Sequence, residues 1–329
     1  MERKARWGVL GCAGIAEKRM LNALLSAKNA ELYAIASRTQ EKLDRFCDKF
    51  HPQKGYVGYD ALLDDPMVDV VYIPLPNALH CEWVIKACEK GKPVLCEKPL
   101  AMTGAEAQKI YDASRRTGVP VMEAFAYLHG PVMKRVRQIL AEKRLGKVRC
   151  IQANFSQIMR DPENVRLKKE IGGGAAYDMG CYLVSFARAI AGEEPEKVQV
   201  LPTIGSTGVD VDVLAALQFP SGVKASMYFS FESHWYTRNT ILCEYGQIDI
   251  LSIFDPLDLQ NKRILLTTKD MRFPELGVTE EYIFDSSAVY TMQMEQMGEV
   301  AFGWAKPVVP LDFSLGNARV MDEILGIRS

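Results

Sequence analysis

Trp7-Gly8-Val9-Leu10-Gly11-Cys12-Ala13-Gly14-Ile15-Ala16 reads as a β-strand, a tight turn and the first turn of a helix. Gly11, Ala13 and Ala16 hold the three small-residue positions of a dinucleotide-binding fingerprint. In that pattern the first residue makes the turn, the second lets the backbone approach a pyrophosphate, and the third lets helix and strand pack closely. Gly11 and Ala16 satisfy their roles. Ala13 stands where glycine is usual, so its methyl must point away from the phosphates, while free N–H groups at the helix start still offer an anion site.

Outward from this turn, short β-branched runs alternate with helical patterns up to residue 122. Strands are expected at Trp7–Leu10, Leu32–Ser37, Val68–Ile73, Val94–Cys96 and Val119–Met122. Helices with apolar residues at three-to-four spacing are expected at Ile15–Ser26, Gln40–Phe50, Leu79–Glu89 and Ala105–Thr117. That alternation predicts an α/β, doubly wound parallel sheet with helices on both faces. The second strand then bears on the cofactor. A site preferring NAD carries an acid at its end, whereas this strand ends Ala36-Ser37-Arg38. A guanidinium there can pair with a 2′-phosphate and Ser37 can offer a hydroxyl, so NADP is expected ahead of NAD.

Beyond Glu123 the texture changes. A helix at Pro131–Glu142, a strand at Val148–Phe155 and a charged loop lead to Gly172-Gly173-Gly174, followed by a helix at Ala175–Ala191. From Lys197 to Phe284 strands dominate: Val211–Phe219, Val223–Phe231, Arg238–Tyr245, Gln247–Ile253 and Arg263–Thr267, with Pro220-Ser221-Gly222 marking a hairpin. Strands without intervening helices imply a large, mostly antiparallel open sheet in an α+β domain, closed by helices near Thr291–Trp304 and Ser314–Leu325. The expected domains are residues 1–122, binding the dinucleotide, and 123–329, binding substrate and making a dimer.

The composition excludes several classes. The 329 residues are 48% apolar and 25% charged, as in a globular chain, and the formal charge of −1 supplies no field that would gather nucleic acid or anionic lipid. No run approaches the roughly 20 apolar residues of a membrane-spanning helix, and the basic N-terminus lacks a cleavage site, so a cytoplasmic location is expected. Eight cysteines without a CxxC pair and four histidines without HExxH spacing give no sequence case for a metal.

Cys96-Glu97-Lys98-Pro99 follows a strand at its carboxyl end, where open α/β sheets place their ligands, so Lys98 is aimed at the crevice. Pro99 restricts Lys98 to extended backbone and admits a cis bond. Asp178 and Tyr182 lie four residues apart, on one helix face after the triple glycine. Read alone, a lysine after a strand is more often a solvated charge than a catalyst, and the same holds for the Asp178 and Tyr182 pair.

Together, Gly11-Cys12-Ala13-Gly14-Ile15-Ala16, Glu97-Lys98-Pro99 and Gly172-Gly173-Gly174 with Asp178-Met179-Gly180-Cys181-Tyr182 resemble the Gfo/Idh/MocA oxidoreductases over essentially the whole chain. The similarity is greatest to the branch of dimeric dihydrodiol dehydrogenases and NADP-dependent D-xylose dehydrogenases, in which a tyrosine stands where inositol dehydrogenases have histidine; here it is Tyr182. The resemblance implies a Rossmann domain in which Gly11 to Ala16, Ser37, Arg38, Pro74, Leu75, Asn77, His80, Glu97 and Lys98 bind or line the cofactor. It implies that Lys98 contacts the reacting hydroxyl, Tyr182 is the acid/base and Asp178 orients the substrate. Lys98 would supply the charge that brings a phenol of reference pKa about 10 toward neutrality. Glu123, Phe125, Tyr127 and Arg166 match positions bordering the family's substrate pocket. Ala13 and Leu128 depart from the pattern, the latter lying near an arginine of many members.

The expected activity is hydride transfer between nicotinamide and a carbinol carbon of a sugar, polyol or cyclic diol, without a metal. The alternative is a non-catalytic NADP-binding regulatory protein of the same fold, which the pairing of Lys98 with Tyr182 disfavours. A homodimer is expected, since the family's open sheet usually buries one face against a second copy.

Overall fold

A computed structural model of the chain describes residues 3–254, 262–270 and 273–327, the side chains of 269–279 excepted. The chain divides into two compact units, residues 1–129 with 288–315, and 130–287 with 316–329. The change of texture at residue 122 lies near the first crossing, and the later return of 288–315 to the first unit has no counterpart in the local sequence.

The first unit holds six parallel strands: β1 (Ala5–Leu10), β2 (Ala30–Ser37), β3 (Lys54–Val57), β4 (Val70–Ile73), β5 (Val94–Cys96) and β6 (Val121–Glu123), in the order β3-β2-β1-β4-β5-β6. β1 and β4 are apolar runs buried on both faces, as parallel strands covered by helices must be. The order reverses between β1 and β4, which sets the ligand crevice of such sheets at the carboxyl ends of these strands. The helices are α1 (Leu21–Ser26), α2 (Gln40–Phe50), α3 (Asp60–Leu63), α4 (His80–Glu89) and α5 (Gly104–Thr117). α1 is preceded by a π-helical turn, Ala16–Met20. The sequence reading lacks β3, and the reason is physical: it is an edge strand, largely solvent-facing, without an apolar run.

In the second unit α6 (Pro131–Ala141) and β7 (Val148–Ser156) precede a π-helical turn, Ala176–Gly180, that runs into α7 (Cys181–Ala191). The strands β8 (Lys197–Ile204), β9 (Asp210–Gln218), β10 (Lys224–Ser230), β11 (Asn239–Cys243), β12 (Gly246–Ile250), β13 (Lys262–Asp270) and β14 (Phe273–Phe284) complete the sheet β14-β13-β12-β11-β7-β10-β9-β8. Only β7 and β10 pair in parallel; the remaining neighbours are antiparallel. The alternation in β9 buries Val211, Val213, Ala215 and Leu217 and turns Leu214 outward, and α7 packs on β7 and β10 from the buried side. Residues 220–222 make the expected hairpin, closed by Gly222 N–H donating to Phe219 O at 2.9 Å. β8, exposed along most of its length, and β14 are the strands the sequence reading did not resolve individually. Two late helices follow, α8 (Val289–Ala301) and α9 (Leu311–Leu325); α8 packs on α1 in the first unit.

Candidate active site

In the first unit, the turn after β1 is built on Gly11, whose φ of +117° suits glycine, and a Cβ there would lie 2.9 Å from Leu75 Cδ2. Both the left-handed backbone and the closeness of Leu75 therefore require glycine at this turn. Cys12 and Ala13 are half-buried and Ala16 is fully buried, which leaves the amino end of the π-helical turn lined by small groups. The Cys12 thiol is pushed up by burial, against a hydrogen bond with Ser37. Ser37 itself is 3% exposed, and its Oγ accepts a long hydrogen bond, 3.4 Å, from Thr39 N–H. Arg38 is exposed beside Tyr59, whose phenol burial pushes up and Arg38 pulls down. Lys42 and Arg45 of α2 act on Cys12 as well, so three cations gather around the end of β2. Sequence reasoning named Arg38 alone; the other two face the same turn only because α2 folds back along β2.

The loops after β4 and β5 are tied together by His80. Its ring is fully buried, with Nδ1 2.7 Å from the Pro99 carbonyl and Nε2 2.8 Å from the Leu75 carbonyl, and burial holds its pKa down. His80 thus acts through its grip on two loops, the first of which carries Pro74, Leu75 and Asn77 directly after β4. The Lys98–Pro99 bond is cis. Glu97 accepts a hydrogen bond from Tyr72 OH at 2.7 Å; burial raises its carboxyl, while Tyr72 and the Lys98 charge oppose the rise. Beyond the lysine, Leu100 N–H donates at 2.9 Å to Glu123 Oε1, so this carboxylate, 1% exposed, straps the loop from below. Phe125 and Tyr127 are buried edge-to-face neighbours, 6.1 Å between ring centres.

In the second unit, Asp178 lies in the π-helical turn and Tyr182 one turn later at the start of α7. Arg166 Nε donates to Asp178 Oδ2 at 2.7 Å; the carboxylate is 14% exposed and the guanidinium 43%. The Asp178 charge raises the Arg166 pKa and Tyr182 adds to the effect, which places a cation within electrostatic reach of the phenol. Tyr182 is half-buried in an aromatic wall, 5.4 Å from Phe254 and 6.0 Å from Phe155. Phe155 stacks on Phe254 at 5.7 Å and meets the edge of Trp235 at 5.8 Å, and Trp235 is 39% exposed. The i,i+4 pattern made Asp178 and Tyr182 legible; the wall comes from β7, the loop after β10 and residue 254, which no local pattern links. Among the described residues no group of three or more His, Cys, Asp or Glu is placed to hold a metal, and no helix is long and apolar enough to cross a membrane.

The oxidoreductase family model with an NAD-binding Rossmann fold matches residues 5–125, and the Gfo/Idh/MocA C-terminal domain matches residues 133–249. A D-xylose 1-dehydrogenase (NADP(+)) of Haloferax volcanii is 32% identical over 97% of this chain and 95% of its own. The chain belongs to the Gfo/Idh/MocA oxidoreductase family. This family member is also 31% identical to the trans-1,2-dihydrobenzene-1,2-diol dehydrogenase of Xenopus tropicalis, over 97% of both chains. Among solved structures, a 3-ketoreductase from Actinomadura kijaniata, in complex with NADP and TDP-benzene, superposes with a TM-score of 0.88 at 28% identity, over 98% of both chains. The Gfo/Idh/MocA protein described here is therefore an NAD(P)-dependent oxidoreductase.

Proposed function

We propose that this Gfo/Idh/MocA member is an NADP-dependent dehydrogenase or reductase acting at a carbinol carbon of a sugar, polyol or cyclic diol. The observation that carries the reading is the second-unit constellation, in which Asp178 and Tyr182 share a helix face, Arg166 pairs with Asp178, and an aromatic wall backs the phenol. The first-unit residues fit a dinucleotide phosphate: the Gly11 turn leads into a helix start lined by the small residues Cys12, Ala13 and Ala16, and Arg38, Lys42 and Arg45 gather near the end of β2, where an acid would serve NAD. NADP supplies or accepts the hydride when bound.

The chain's own residues do the rest. Tyr182 takes the hydroxyl proton during oxidation and returns it during reduction. Lys98, held between Glu97 and Pro99, contacts the reacting oxygen and favours its anionic form. Asp178 orients a neighbouring hydroxyl by accepting its hydrogen bond, and Arg166, donating to Asp178 Oδ2 at 2.7 Å, fixes the carboxylate in place. Phe155 and Phe254 pack against the half-buried Tyr182 ring and steady it, and the partly exposed face of Trp235 suits the C–H face of a sugar or diol ring. The names of the dehydrogenase relatives support that substrate class. Residues 123–329 form the substrate and dimerisation part in this reading.

Leu201 and Leu214, paired across β8 and β9, are 71% and 48% exposed, with Ile204 at 59%. We place a second copy of the chain on this face and the enzyme in the cytosol, where its eight free cysteines stay reduced. Light scattering after size exclusion, returning a monomer at micromolar concentration, would remove the dimer. Titrating NADPH and NADH into wild type and Arg38→Ala tests the cofactor: the variant should lose about ten- to a hundredfold in NADPH affinity, and little for NADH, if a charge-assisted phosphate contact is lost. Turnover of D-xylose or trans-dihydrodiol that survives in Tyr182→Phe removes the acid/base role.

A further inference from the structure

The helix that carries Asp178 and Tyr182 starts without a cap of its own. Its N-cap residue is Ala175, preceded by three glycines, so no nearby side chain can accept the first free N–H groups. They are taken by a carboxylate 34 residues downstream: Asp210 Oδ2 accepts Ala176 N–H at 2.6 Å, and the Ala175 N–H adds to it. Asp210 opens β9, is 7% exposed, and has no ion-pair partner among the described residues. The anion's counter-charge is the helix end itself.

The triple glycine is what lets the carboxylate arrive. Gly174 has φ +124°, and a Cβ there would collide with Asp210 Oδ1. At Gly173 a Cβ would stand 2.6 Å from the Arg166 carbonyl and 2.7 Å from that of Lys168. Gly174 N–H donates to Arg166 O at 2.8 Å, so the same turn seats the arginine that pairs with Asp178. A turn further on, Gly180 lies against Phe229 of β10, where a Cβ would be 3.0 Å from its Cζ. Asp178 is thus bracketed between two fixed points on neighbouring strands, and Tyr182 follows two residues after the second.

We infer that Asp210 is a positioning residue: its carboxylate, reaching over Gly174 to the N–H groups of Ala175 and Ala176, fastens the amino end of the Tyr182 helix to β9 and so sets where Asp178 and Tyr182 stand. A cap drawn from the helix's own sequence would satisfy the same N–H groups but would leave the helix start untied to the sheet. The inference rests on the reading of Tyr182 as acid/base for its importance, though not for its geometry.

The test uses full-length protein labelled with 3-fluorotyrosine, with the Tyr182 resonance assigned by its loss in Tyr182→Phe. In Asp210→Ala the Tyr182 resonance should move or broaden, and amide exchange over residues 175–182 should accelerate about tenfold or more, the factor expected for losing a hydrogen bond to a charged acceptor. Exchange in the first unit and NADPH affinity should hold. Asp210→Asn, which keeps one acceptor oxygen, should fall between, and serves if Asp210→Ala does not fold. Adding Ala175→Ser to Asp210→Ala supplies a local cap: it should recover thermal stability without returning the Tyr182 resonance to its wild-type position. The inference is overturned if that resonance and the 175–182 amides are unmoved in both Asp210 variants, or if the local cap restores them fully. Turnover of D-xylose or trans-dihydrodiol by the assigning variant, Tyr182→Phe, reports separately on the acid/base reading, so either can fail without the other.

Discussion

Replacing Phe155 with leucine separates the aromatic wall from the bulk of the core. Phe155 is 7% exposed and touches three rings, at 6.0 Å (Tyr182), 5.8 Å (Trp235) and 5.7 Å (Phe254). Leucine keeps most of the buried apolar volume, so the loss is chiefly that of ring–ring geometry. Such contacts are worth about 0.5–1.5 kcal/mol each beyond burial, and since they share one ring they do not add fully, which gives about 1–3 kcal/mol. For a unit of this size each kcal/mol lowers the melting temperature by roughly 2–4 °C, so the unit should melt about 2–12 °C lower. All four residues lie in the second unit. NADPH affinity, read by fluorescence titration, should therefore stay within about twofold of wild type, whereas turnover should fall because the Tyr182 ring loses one of its walls. Melting is followed by scanning calorimetry. A decrease under about 1 °C, or an NADPH affinity that falls along with the melting temperature, would refute the argument that these rings form one unit around the phenol and act apart from the cofactor.

Trp235→Ala should raise the substrate KM several-fold with kcat and NADPH binding little changed, because its face is partly exposed and it packs edge-on against Phe155; steady-state kinetics on D-xylose or trans-dihydrodiol decide it. Glu123→Ala strips Leu100 N–H of its acceptor at a site 1% exposed, which should cost about 1–3 kcal/mol and weaken NADPH binding as the Lys98 loop loosens, read by calorimetry and titration. Asp65 gives a pH-dependent case. Burial would raise its carboxyl, but hydrogen bonds from Lys54 (2.8 Å), Tyr56 OH (2.6 Å) and Met67 N–H (2.8 Å) prevail and hold it well below the usual range. A carboxyl whose folded pKa is depressed contributes stability that is present above its unfolded pKa of about 3.9 and lost as pH falls below that value. The gap in melting temperature between wild type and Asp65→Asn should be full at pH 7 and shrink below about pH 4; a gap constant down to pH 3 would contradict this.

Much of this protein was legible in residue order because the relevant physics is local. The Gly11 turn follows from backbone conformation and the β1 and β4 runs from burial on both faces. Lys98 stands in the extended segment before Pro99, and Asp178 and Tyr182 share a face because helix geometry puts residues four apart together. β3 and β8 escaped because edge strands carry no apolar run to betray them. Lys42 and Arg45 escaped because only the return of α2 along β2 brings them to Arg38.

Sequence by itself determined the two kinds of sheet, the motifs that mark the candidate site, and the family. What only the tertiary structure decided is how the candidate site residues are held. Asp210 reaches a helix 34 residues earlier, Phe254 backs a tyrosine on another element, and Glu123 straps a loop from the next strand. Pairings between distant residues leave no trace in local spacing, because any residue with the right donor or acceptor would read the same until the chain has folded.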